Sequence, residues 1–175
     1  METARLIIRR FTIADKKDVY DYAKHPEVGP NAGWKPHTSV EHSEMIIRNI
    51  FLLQTHGFAI VDKATNKVIG SINLHKRPFL RNYELGYSLS YDYWGQGLMS
   101  EAAAALLAYG FDQLGARRIF AKTDTNNARS KRVLLKQGMT HYKFKPQDLR
   151  RYDGTIIDMD YFELTKEQWR THAKT

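Results

Sequence analysis

Residues 91–101 read Tyr91-Asp92-Tyr93-Trp94-Gly95-Gln96-Gly97-Leu98-Met99-Ser100-Glu101, a polar loop with two glycines that leads into an alanine-rich segment. Gly95 and Gly97 allow the backbone to adopt angles that other residues rarely take and to approach a ligand closely. An alanine-rich helix after the loop would offer unpaired N–H groups and the positive end of its dipole. The stretch therefore predicts a loop and a helix, with the loop placed to bind a diphosphate.

The spacing of these glycines differs from that of the common phosphate-binding motifs. The dinucleotide fingerprint has three glycines after the first strand, and the P-loop ends in Gly-Lys-Ser or Gly-Lys-Thr. Residues 95–101 match neither pattern, and they lie in the middle of the chain. The loop is therefore not a dinucleotide-binding or nucleoside-triphosphate motif of the usual kind.

The composition is that of a folded globular protein. A chain of 175 residues can bury one substantial core but is short for two, so residues 1–175 are expected to form a single domain. With 42% hydrophobic and 26% charged residues, the sequence is unlike a disordered or fibrous protein. No apolar run approaches the about 20 residues of a membrane-spanning helix, and the N-terminus lacks the apolar core of a secretion signal. We expect a cytoplasmic protein with no membrane partner.

Residue usage also excludes several kinds of chemistry. The sequence has no cysteine, which excludes disulfides, thiolate metal sites and a cysteine nucleophile. The seven histidines are scattered without metal-ligand spacing, so we predict no metal. The net charge of +8 is compatible with an anionic ligand, with ribosomal or nucleic-acid neighbours, or with solubility alone. Because lysine and arginine are spread along the chain, direct nucleic-acid binding is not expected.

Four helices are predicted from capping residues and apolar spacing. Thr12 or Asp15 can cap the first helix, which ends at His25-Pro26, and a capping box at residues 38–41 opens the second. Between them, residues 27–37 are predicted to be a loop because they hold two glycines and two prolines. The second helix has apolar residues at helical spacing, namely Met45, Ile46, Ile50 and Leu53. The predicted helices run from Thr12 or Asp15 through Tyr22, from Thr38 to about His56, from Leu98 to Leu114, and from Asn127 to the residue before Gly138.

Seven strands are predicted from apolar alternation and flanking turn residues. The second, third and fourth strands follow one another closely and form an antiparallel meander, whereas a strand-helix-strand unit around the glycine loop favours a parallel pair. The fold class is therefore α+β, with a central mixed sheet of about seven strands and about four flanking helices. The predicted strands are Leu6–Arg10, Phe58–Asp62, Lys67–Leu74, Asn82–Ser90, Arg118–Lys122, Met139–Lys145 and Thr155–Leu164.

Several ordered motifs carry a resemblance to a known family. The sequence resembles the GNAT acetyltransferases, and within them the branch of ribosomal-protein N-terminal (RimJ/RimL-like) acetyltransferases. Each motif is weak by itself, but together and in this order they are specific, and the resemblance covers essentially the whole chain. The motifs are Arg5–Arg9, Gly33–His37, Leu85–Leu89 with Tyr93–Gly97, Thr123–Ser130, and Val133–Met139.

The resemblance implies that acetyl-CoA is the co-substrate. In the family, backbone amides of the glycine loop hold the coenzyme A diphosphate, and the strand before the loop splays away from its neighbour. Trp94 and Met99 depart from the broad family pattern, although the branch often carries Trp94, and the larger Met99 would crowd the diphosphate. The residues that inherit coenzyme binding are Leu89, Gly95, Gln96, Gly97, Leu98, Met99, Ser100, Asn127 and Ser130.

Two residues inherit catalytic roles from the resemblance. Ser130 matches an Asn-x-x-Ser motif that begins at Asn127, in which the serine can protonate the departing thiolate, whose thiol has an ordinary pKa of about 8.5. The alternative is a plain helix cap, because an Asn N-cap accepts a backbone N–H three residues on, and both roles can hold together. Glu84 matches a carboxylate that takes a proton through water. Its alternatives are an edge position in solvent or a structural partner for Arg77 or Arg81.

Acceptor contact is predicted for three residues. Trp34 and His37 lie in the loop that walls the acceptor site in the family, and Tyr87 lies on the strand before the glycine loop. The alternatives are that Trp34 fills the core, that His37 only precedes a helix cap, and that most tyrosines around this strand serve core packing.

The predicted function is acetyl-CoA-dependent N-acetylation of a primary amine by direct attack in a ternary complex. An α-amino group, with a pKa of about 8, loses its proton more easily than a lysine at about 10.4. If Glu84 is exposed, this favours an N-terminal or other α-amino acceptor, and the resemblance points to a protein N-terminus such as that of a ribosomal protein. The alternatives are a small amine such as a polyamine, amino acid or antibiotic, a non-catalytic coenzyme-binding module, and a basic RNA-associated protein. The resemblance is also compatible with a homodimer.

Overall fold

The computed structural model describes residues 1–78 and 81–172. It contains the strands β1 Leu6–Arg9, β2 Gly57–Asp62, β3 Lys67–Lys76, β4 Asn82–Leu89, β5 Arg118–Asp124, β6 Thr140–Arg150 and β7 Ile156–Thr165. The helices are α1 Lys16–Ala23, α2 Val28–Ala32, α3 Val40–Ile46, α4 Leu98–Ala108, α5 Ala128–Lys136 and α6 Lys166–His172. No helix in the described residues is long and apolar enough to cross a membrane.

The seven strands form one mixed sheet in the order β1-β2-β3-β4-β5-β7-β6. The pair β4 and β5 is parallel, and the other neighbours are antiparallel. The parallel pair is joined by α4, as the strand-helix-strand pattern around the glycine loop predicts. The α+β class and the mixed sheet of seven strands are therefore confirmed.

β4 and β5 separate over most of their length. They are in register at three positions, where Asn82–Glu84 lies beside Arg118–Phe120. Beyond these residues the two strands diverge toward their carboxyl ends, and the edges of Leu85–Leu89 and Ala121–Asp124 are left without a strand partner. This confirms the splayed sheet and leaves a gap through the middle of the molecule.

Helices cover the sheet on both faces, and strand β2 shows how. Its residue Ile60 belongs to a buried cluster with α4 residues such as Leu106, whereas Ala59 and Val61 belong to a second cluster with Val19 of α1. Alternate side chains of a strand point to opposite faces. The helices α4 and α5 therefore cover one face, and α1 and α2 lie against the other.

Residues 27–37 contain a short helix where a loop is predicted. Pro30 lies in the first turn of α2, where a missing N–H removes no helical hydrogen bond, so the proline is tolerated. Gly33 ends the helix with φ of 87°, a left-handed conformation that suits glycine. Together with α6, which was not predicted, this brings the described helices to six rather than about four.

The second predicted helix begins within the predicted capping box but buries a different face. Ser39 caps α3 by accepting the His42 N–H at 3.1 Å, so the N-cap lies one residue after the Thr38 of the predicted box. After Ile46 the chain forms a π-helical turn, Ile47–Phe51, which rotates the following residues relative to an α-helix. Ile47, one helical turn after the buried Ser43, is fully buried, whereas Met45 and Leu53 are 50% and 74% exposed. The apolar spacing that predicted this helix therefore does not mark its buried face.

Strand β6 is longer than predicted. Its register with β7 shifts between Lys145 and Leu149, so a bulge carries the strand past Pro146, which cannot donate to a ladder. The extension continues to Arg150 and places the following turn, with Gly154 at φ of 88°, near the gap between β4 and β5.

Candidate active site

The glycine loop has the backbone conformation that a phosphate site requires. Gly95 and Gly97 both have φ of 77°, and Gly97 is the N-cap of α4. The first backbone hydrogen bond of this helix runs from the Glu101 N–H to the Gly97 carbonyl at 3.1 Å. The N–H groups of Leu98, Met99 and Ser100 thus have no acceptor in a preceding helical turn. A Cβ added at Gly95 would meet no atom within 4 Å, so the loop borders open space that can admit a diphosphate.

The segment that precedes β1 holds the glycine loop in place through hydrogen bonds. Glu101 accepts hydrogen bonds from the Thr3 hydroxyl at 2.5 Å and from the Arg5 backbone N–H and Nε at 2.8 Å each. Arg5 Nη1 in turn donates to the Gln96 carbonyl at 3.0 Å. Burial alone would raise the Glu101 pKa, but these donors lower it below its usual value. Glu101 therefore does more than complement the helix dipole, because it also ties α4 and the loop to β1.

The cleft-side edge of β4 offers backbone groups to a ligand. The Ser90 N–H donates to Ile69 on β3, and successive residues of a strand turn their N–H groups to opposite edges, so the Leu89 N–H faces the gap. The Leu89 carbonyl accepts from Trp94 Nε1 at 2.9 Å. Trp94, a departure from the broad family pattern, therefore packs against the end of β4 and leaves the Leu89 N–H free for a ligand.

A cavity of about 410 Å³ passes through the gap from one face of the sheet to the other. On one face it is lined by the glycine loop and by α4 and α5, and on the other by α2 and the β6–β7 hairpin. It brings together most of the predicted site residues. Those that line it are Glu84, Tyr87, Leu89, Gly95, Gly97, Leu98, Met99, Ser100, Asn127 and Ser130.

Tyr87 and Ser130 form a hydroxyl pair in the cavity. The Tyr87 hydroxyl and Ser130 Oγ share a hydrogen bond of 2.9 Å. Burial raises the pKa of Tyr87 to about 12, while the hydrogen bond to Ser130 opposes that rise. Asn127 Oδ1 accepts from the Ser130 backbone N–H at 3.1 Å, so the predicted helix cap exists. Because the cap uses the backbone of Ser130, its side chain is available to Tyr87.

Glu84 lies in the cavity with two cations beside it. Its carboxylate oxygens lie 2.9 Å from Arg77 Nη2 and 3.8 Å from Lys122 Nζ. The predicted structural alternative, a partner for Arg77, is therefore present. Both carboxylate oxygens of Glu84 therefore have a cationic neighbour, while the residue still lines the cavity.

Three predicted site residues do not line the cavity. His37 is buried, and its Nδ1 shares a hydrogen bond of 2.8 Å with Ser43 Oγ. Burial, with a smaller effect of nearby His42, lowers the His37 pKa to about 4. The Trp34 ring packs on Gly29, where a Cβ would meet it at 2.6 Å. His37 and Trp34 thus pack locally outside the cavity lining, and acceptor contact by either residue stays a prediction.

Gln96 also lies outside the cavity lining, although its neighbours in the loop line it. Its side chain donates to the Asp92 carbonyl at 2.9 Å, and its own carbonyl accepts from Arg5. The Gln96 side chain thus stabilises the loop, and only its backbone N–H is left for a diphosphate.

Basic side chains surround the cavity, and most of them were not predicted as site residues. The guanidinium of Arg129 lies 4.1 Å from the centre of the Trp94 ring and 3.6 Å from Glu27, so it bridges the glycine loop and the α1–α2 connection. Arg132 and Lys136 line the cavity from the exposed side of α5. Arg129 lies within the Asn-x-x-Ser motif, but only the fold shows that it meets Trp94. These cations suit the negative charge of a phosphorylated ligand.

Comparison with known proteins agrees with this geometry. A family model described as acetyltransferase (GNAT) domain matches residues 5–140. The chain therefore belongs to the GNAT family of N-acetyltransferases, whose members use acetyl-CoA and act on amine acceptors. The residues fit this co-substrate, because the open glycine loop, the free helix N-terminus and the basic rim lie on one side of the gap.

Similar proteins span nearly the whole chain. The uncharacterized N-acetyltransferase p20 of Bacillus licheniformis is 32% identical over 178 residues, which is 95% of this chain and 96% of that protein. The structure of a GNAT acetyltransferase from Bacillus anthracis is 25% identical with a TM-score of 0.83, covering 95% and 98% of the two chains. The ribosomal-protein-S5-alanine acetyltransferase from Vibrio fischeri is 22% identical with a TM-score of 0.80, covering 97% of each chain, and shares the fold. The resemblance to the ribosomal-protein branch is consistent with this neighbour.

Proposed function

We propose that the protein transfers the acetyl group of acetyl-CoA to a primary α-amine by direct attack in a ternary complex. The observation that carries this proposal is the gap between β4 and β5. Through it, the cavity connects the glycine loop on one face of the sheet with the part lined by α2 and the β6–β7 hairpin on the other face. A coenzyme and an acceptor can enter from opposite faces and meet at the gap. Such an arrangement converts a bimolecular reaction into one between held groups.

Backbone groups hold the coenzyme in this proposal. The N–H groups of Leu98, Met99 and Ser100 receive the diphosphate at the helix N-terminus. The free N–H of Leu89 on the cleft-side edge of β4 pairs with the pantetheine arm. The bound coenzyme supplies an acetyl thioester. An N–H on this edge of β4 can also stabilise negative charge that develops on the acetyl oxygen during attack.

The chain's side chains manage two protons. The Tyr87 and Ser130 hydroxyls lie within hydrogen-bond distance of each other, and the raised pKa of Tyr87 keeps its proton in place at neutral pH. This pair is placed to donate a proton to a departing thiolate. Glu84, between Arg77 and Lys122, supports water-mediated removal of the amine proton.

Protein N-termini, the acceptor expected from the sequence, are one kind of α-amine to test. The Vibrio fischeri neighbour acts, by its name, on an alanine of ribosomal protein S5, and this gives a reason to test ribosomal N-terminal peptides. A cytoplasmic location and a homodimer remain predictions from the sequence.

Thermal melting with acetyl-CoA, CoA and NADH tests coenzyme binding first. Stabilisation by the two coenzyme A species but not by NADH supports the proposal, because a ligand that binds only the folded state raises its melting temperature. No shift with either coenzyme A species contradicts it and brings RNA or protein binding to the front. Release of free thiol with a panel of amines then separates catalysis from storage. A non-catalytic binding module would be stabilised by coenzyme yet release no thiol.

A further inference from the structure

The acceptor end of the cavity, on the α2 face of the sheet, has a distinct chemical character. Asp160 of β7 faces α5, because it lies 2.5 Å from Lys131 Nζ on that helix. Met159, one residue away on the strand, and Ile157 therefore face the opposite side. We define the acceptor end by its lining residues Val28, Pro30, Asn31, Ala32, Leu149, Arg151, Ile157 and Met159. Six of these eight are apolar, and the charged one is an arginine.

The carboxylates near this end are already neutralised. Glu84 is paired with Arg77 and Lys122. Asp124 accepts from Arg151 Nη2 at 2.5 Å and from the Asn126 N–H at 2.8 Å. Since these are the two acidic side chains that line the described cavity, no carboxylate there is left for the further ammonium groups of a polyamine. The site is therefore ill suited to a polycationic acceptor.

Arg151 holds unused hydrogen-bonding capacity at this end. Its Nη2 is engaged by Asp124, but its Nε is buried and has no hydrogen-bond partner among the described residues. The hydroxyl of Thr125, next to Asp124 in the sequence, is also buried and has no hydrogen-bond partner within residues 1–78 and 81–172. Unpaired buried donors carry a desolvation cost, which is larger for charged groups. A guanidinium held in place by one carboxylate, with a donor to spare, is a receptor for a second carboxylate.

Resting on the proposed function, we infer that the acceptor is a small primary amine that carries a carboxylate, as a free α-amino acid does. Arg151 receives the carboxylate, and Leu149, Ile157 and Met159 contact an apolar side chain. In the reaction the amine nitrogen bonds to the acetyl carbon while the carbon–sulfur bond breaks. One proton leaves the amine, one is taken up by the sulfur, and the products are an N-acetyl amino acid and free CoA.

Three leucine derivatives test this acceptor class. L-Leucine has the carboxylate, L-leucinamide replaces it with a neutral amide, and 3-methylbutylamine lacks it. Values of kcat/KM are compared per unprotonated amine, because amidation changes the amine pKa. We expect leucine to exceed leucinamide by about tenfold or more, the scale of a charge-assisted hydrogen bond. An alanine-headed ribosomal peptide is included, and equal or better acetylation of leucinamide or this peptide would overturn the inference.

Variants of the hairpin assign the preference to Arg151. Arg151→Gln should reduce the leucine-to-leucinamide ratio to about threefold or less, the scale left when the charged bond is lost. Arg150→Gln is the matched control, because Arg150 is exposed and does not line the cavity. The double change Asp124→Asn with Arg151→Gln removes both charges and guards against unfolding caused by an unpaired Asp124. A ratio that Arg151→Gln and the double variant leave unchanged would contradict the assignment.

A binding measurement separates this inference from the proposed function. Melting of the protein saturated with CoA is recorded with leucine and with leucinamide. A shift given by leucine alone, and lost in Arg151→Gln but kept in Arg150→Gln, supports the carboxylate site even if no amine is acetylated. Acetylation of amines without any preference for a carboxylate would instead keep the proposed function and remove this inference. If the protein acetylates no amine and leucine gives no melting shift, both the proposed function and this inference are overturned.

Discussion

The glycine-loop end and the acceptor end of the same cavity are built in different ways. The glycine-loop end comes from one continuous stretch, residues 95–100, and offers mainly backbone N–H groups. The acceptor end collects side chains from α2 and the β6–β7 hairpin, which lie more than a hundred positions apart in the sequence. The first end depends on backbone conformation, and the second depends on which side chains the fold brings together.

This difference separates what the family shares from what an individual member recognises. A backbone site keeps its donors when side chains change, so Trp94 and Met99 can depart from the broad pattern without removing it. Met99, expected to crowd the diphosphate, is 7% exposed and packs in the core beneath α4. A side-chain site changes whenever one residue changes. Acceptor choice is therefore expected to reside in residues such as Arg151, and coenzyme choice in the loop.

Replacement of Gly97 by tryptophan should have the largest effect. The new side chain would occupy the space beside the loop, and the residue would be forced out of the left-handed region at φ of 77°. We expect the Kd for CoA to rise by at least about 100-fold, equivalent to about 2.7 kcal/mol. Isothermal titration calorimetry with CoA measures it.

Gly154→Trp is the matched control for this change. Gly154 has φ of 88° and open space around it, as Gly97 nearly does, but it does not line the cavity. The control variant should therefore carry a similar backbone penalty and bind CoA normally. Equal affinity for CoA in Gly97→Trp and the wild type would show that the glycine loop does not bind the diphosphate.

The same contrast explains how far the sequence alone could lead. The glycine loop was predictable because its donors, turn residues and helix are neighbours in the chain. Arg151 was not, since it meets Asp124, 27 residues earlier, only once β6 and β7 have formed their hairpin. The surroundings of His37 were not predictable either, because the sequence does not show whether its ring faces a cavity or Ser43 in the next helix, to which it is hydrogen-bonded. The buried face of α3 was missed because its buried residue is the polar Ser43, which an apolar pattern does not reveal.

Removal of the Tyr87 hydroxyl should be the next largest change, and it tests chemistry between the two ends. Tyr87→Phe should lower kcat by about 10- to 100-fold, below or near the usual contribution of a general acid, because Ser130 remains. The Kd for CoA should change little. Ser130→Ala should have a smaller effect on kcat, since it keeps the backbone N–H that Asn127 caps. Thiol-release assays measure kcat, and calorimetry measures the Kd for CoA.

Tyr83→Phe is the control for loss of a tyrosine hydroxyl on β4. Tyr83 is buried on the same strand but does not line the cavity.

The raised pKa of Tyr87 means that its proton should persist until the pH approaches about 12, so no loss of kcat from this group is expected below pH 10. A normal kcat in both Tyr87→Phe and Ser130→Ala would show that the hydroxyl pair is structural.

Release of the glycine loop from β1 should have a moderate effect, confined to the coenzyme. Arg5→Ala removes the Nε donor to Glu101 and the Nη1 donor to the Gln96 carbonyl but keeps the backbone N–H of residue 5, and Glu101→Gln weakens the same connection. We expect each change to raise the Kd for CoA about three- to tenfold, in keeping with one partly exposed charged hydrogen bond. Because the two residues are partners, the double variant should lose less than the sum of the single free energies.

Lys63→Ala separates the loop from the N-terminal segment as a whole. Lys63 binds Glu2 and the Thr3 carbonyl, so it holds the same segment without contacting the loop. Its replacement should leave the Kd for CoA unchanged. A loss of affinity equal to that of Arg5→Ala would mean that the segment matters generally and that Arg5 has no special role.

His37 should affect stability rather than acceptor turnover, and this is the smallest effect expected on activity. Its pKa is about 4 in the folded protein and about 6.5 when unfolded. As the pH falls from 6.5 to 4, the unfolded chain binds a proton that the folded chain refuses, so stability decreases by up to about 1.4 kcal/mol per pH unit. Above pH 6.5 this loss is absent. In His37→Asn the melting temperature should fall less steeply over that range, by up to about 3–6 °C per pH unit.

The activity of His37→Asn at pH 7.5 decides whether this histidine belongs to the acceptor end. The value of kcat/KM for the amine should stay within about threefold of the wild type, because the His37 ring lies outside the cavity and is neutral at pH 7.5. His75→Asn, at an exposed position of β3, controls for histidine replacement at the surface. If His37→Asn kept the steep melting profile but lost activity, the ring would have to move into the cavity when an acceptor binds. The separation between packing around α3 and recognition by the hairpin would then fail.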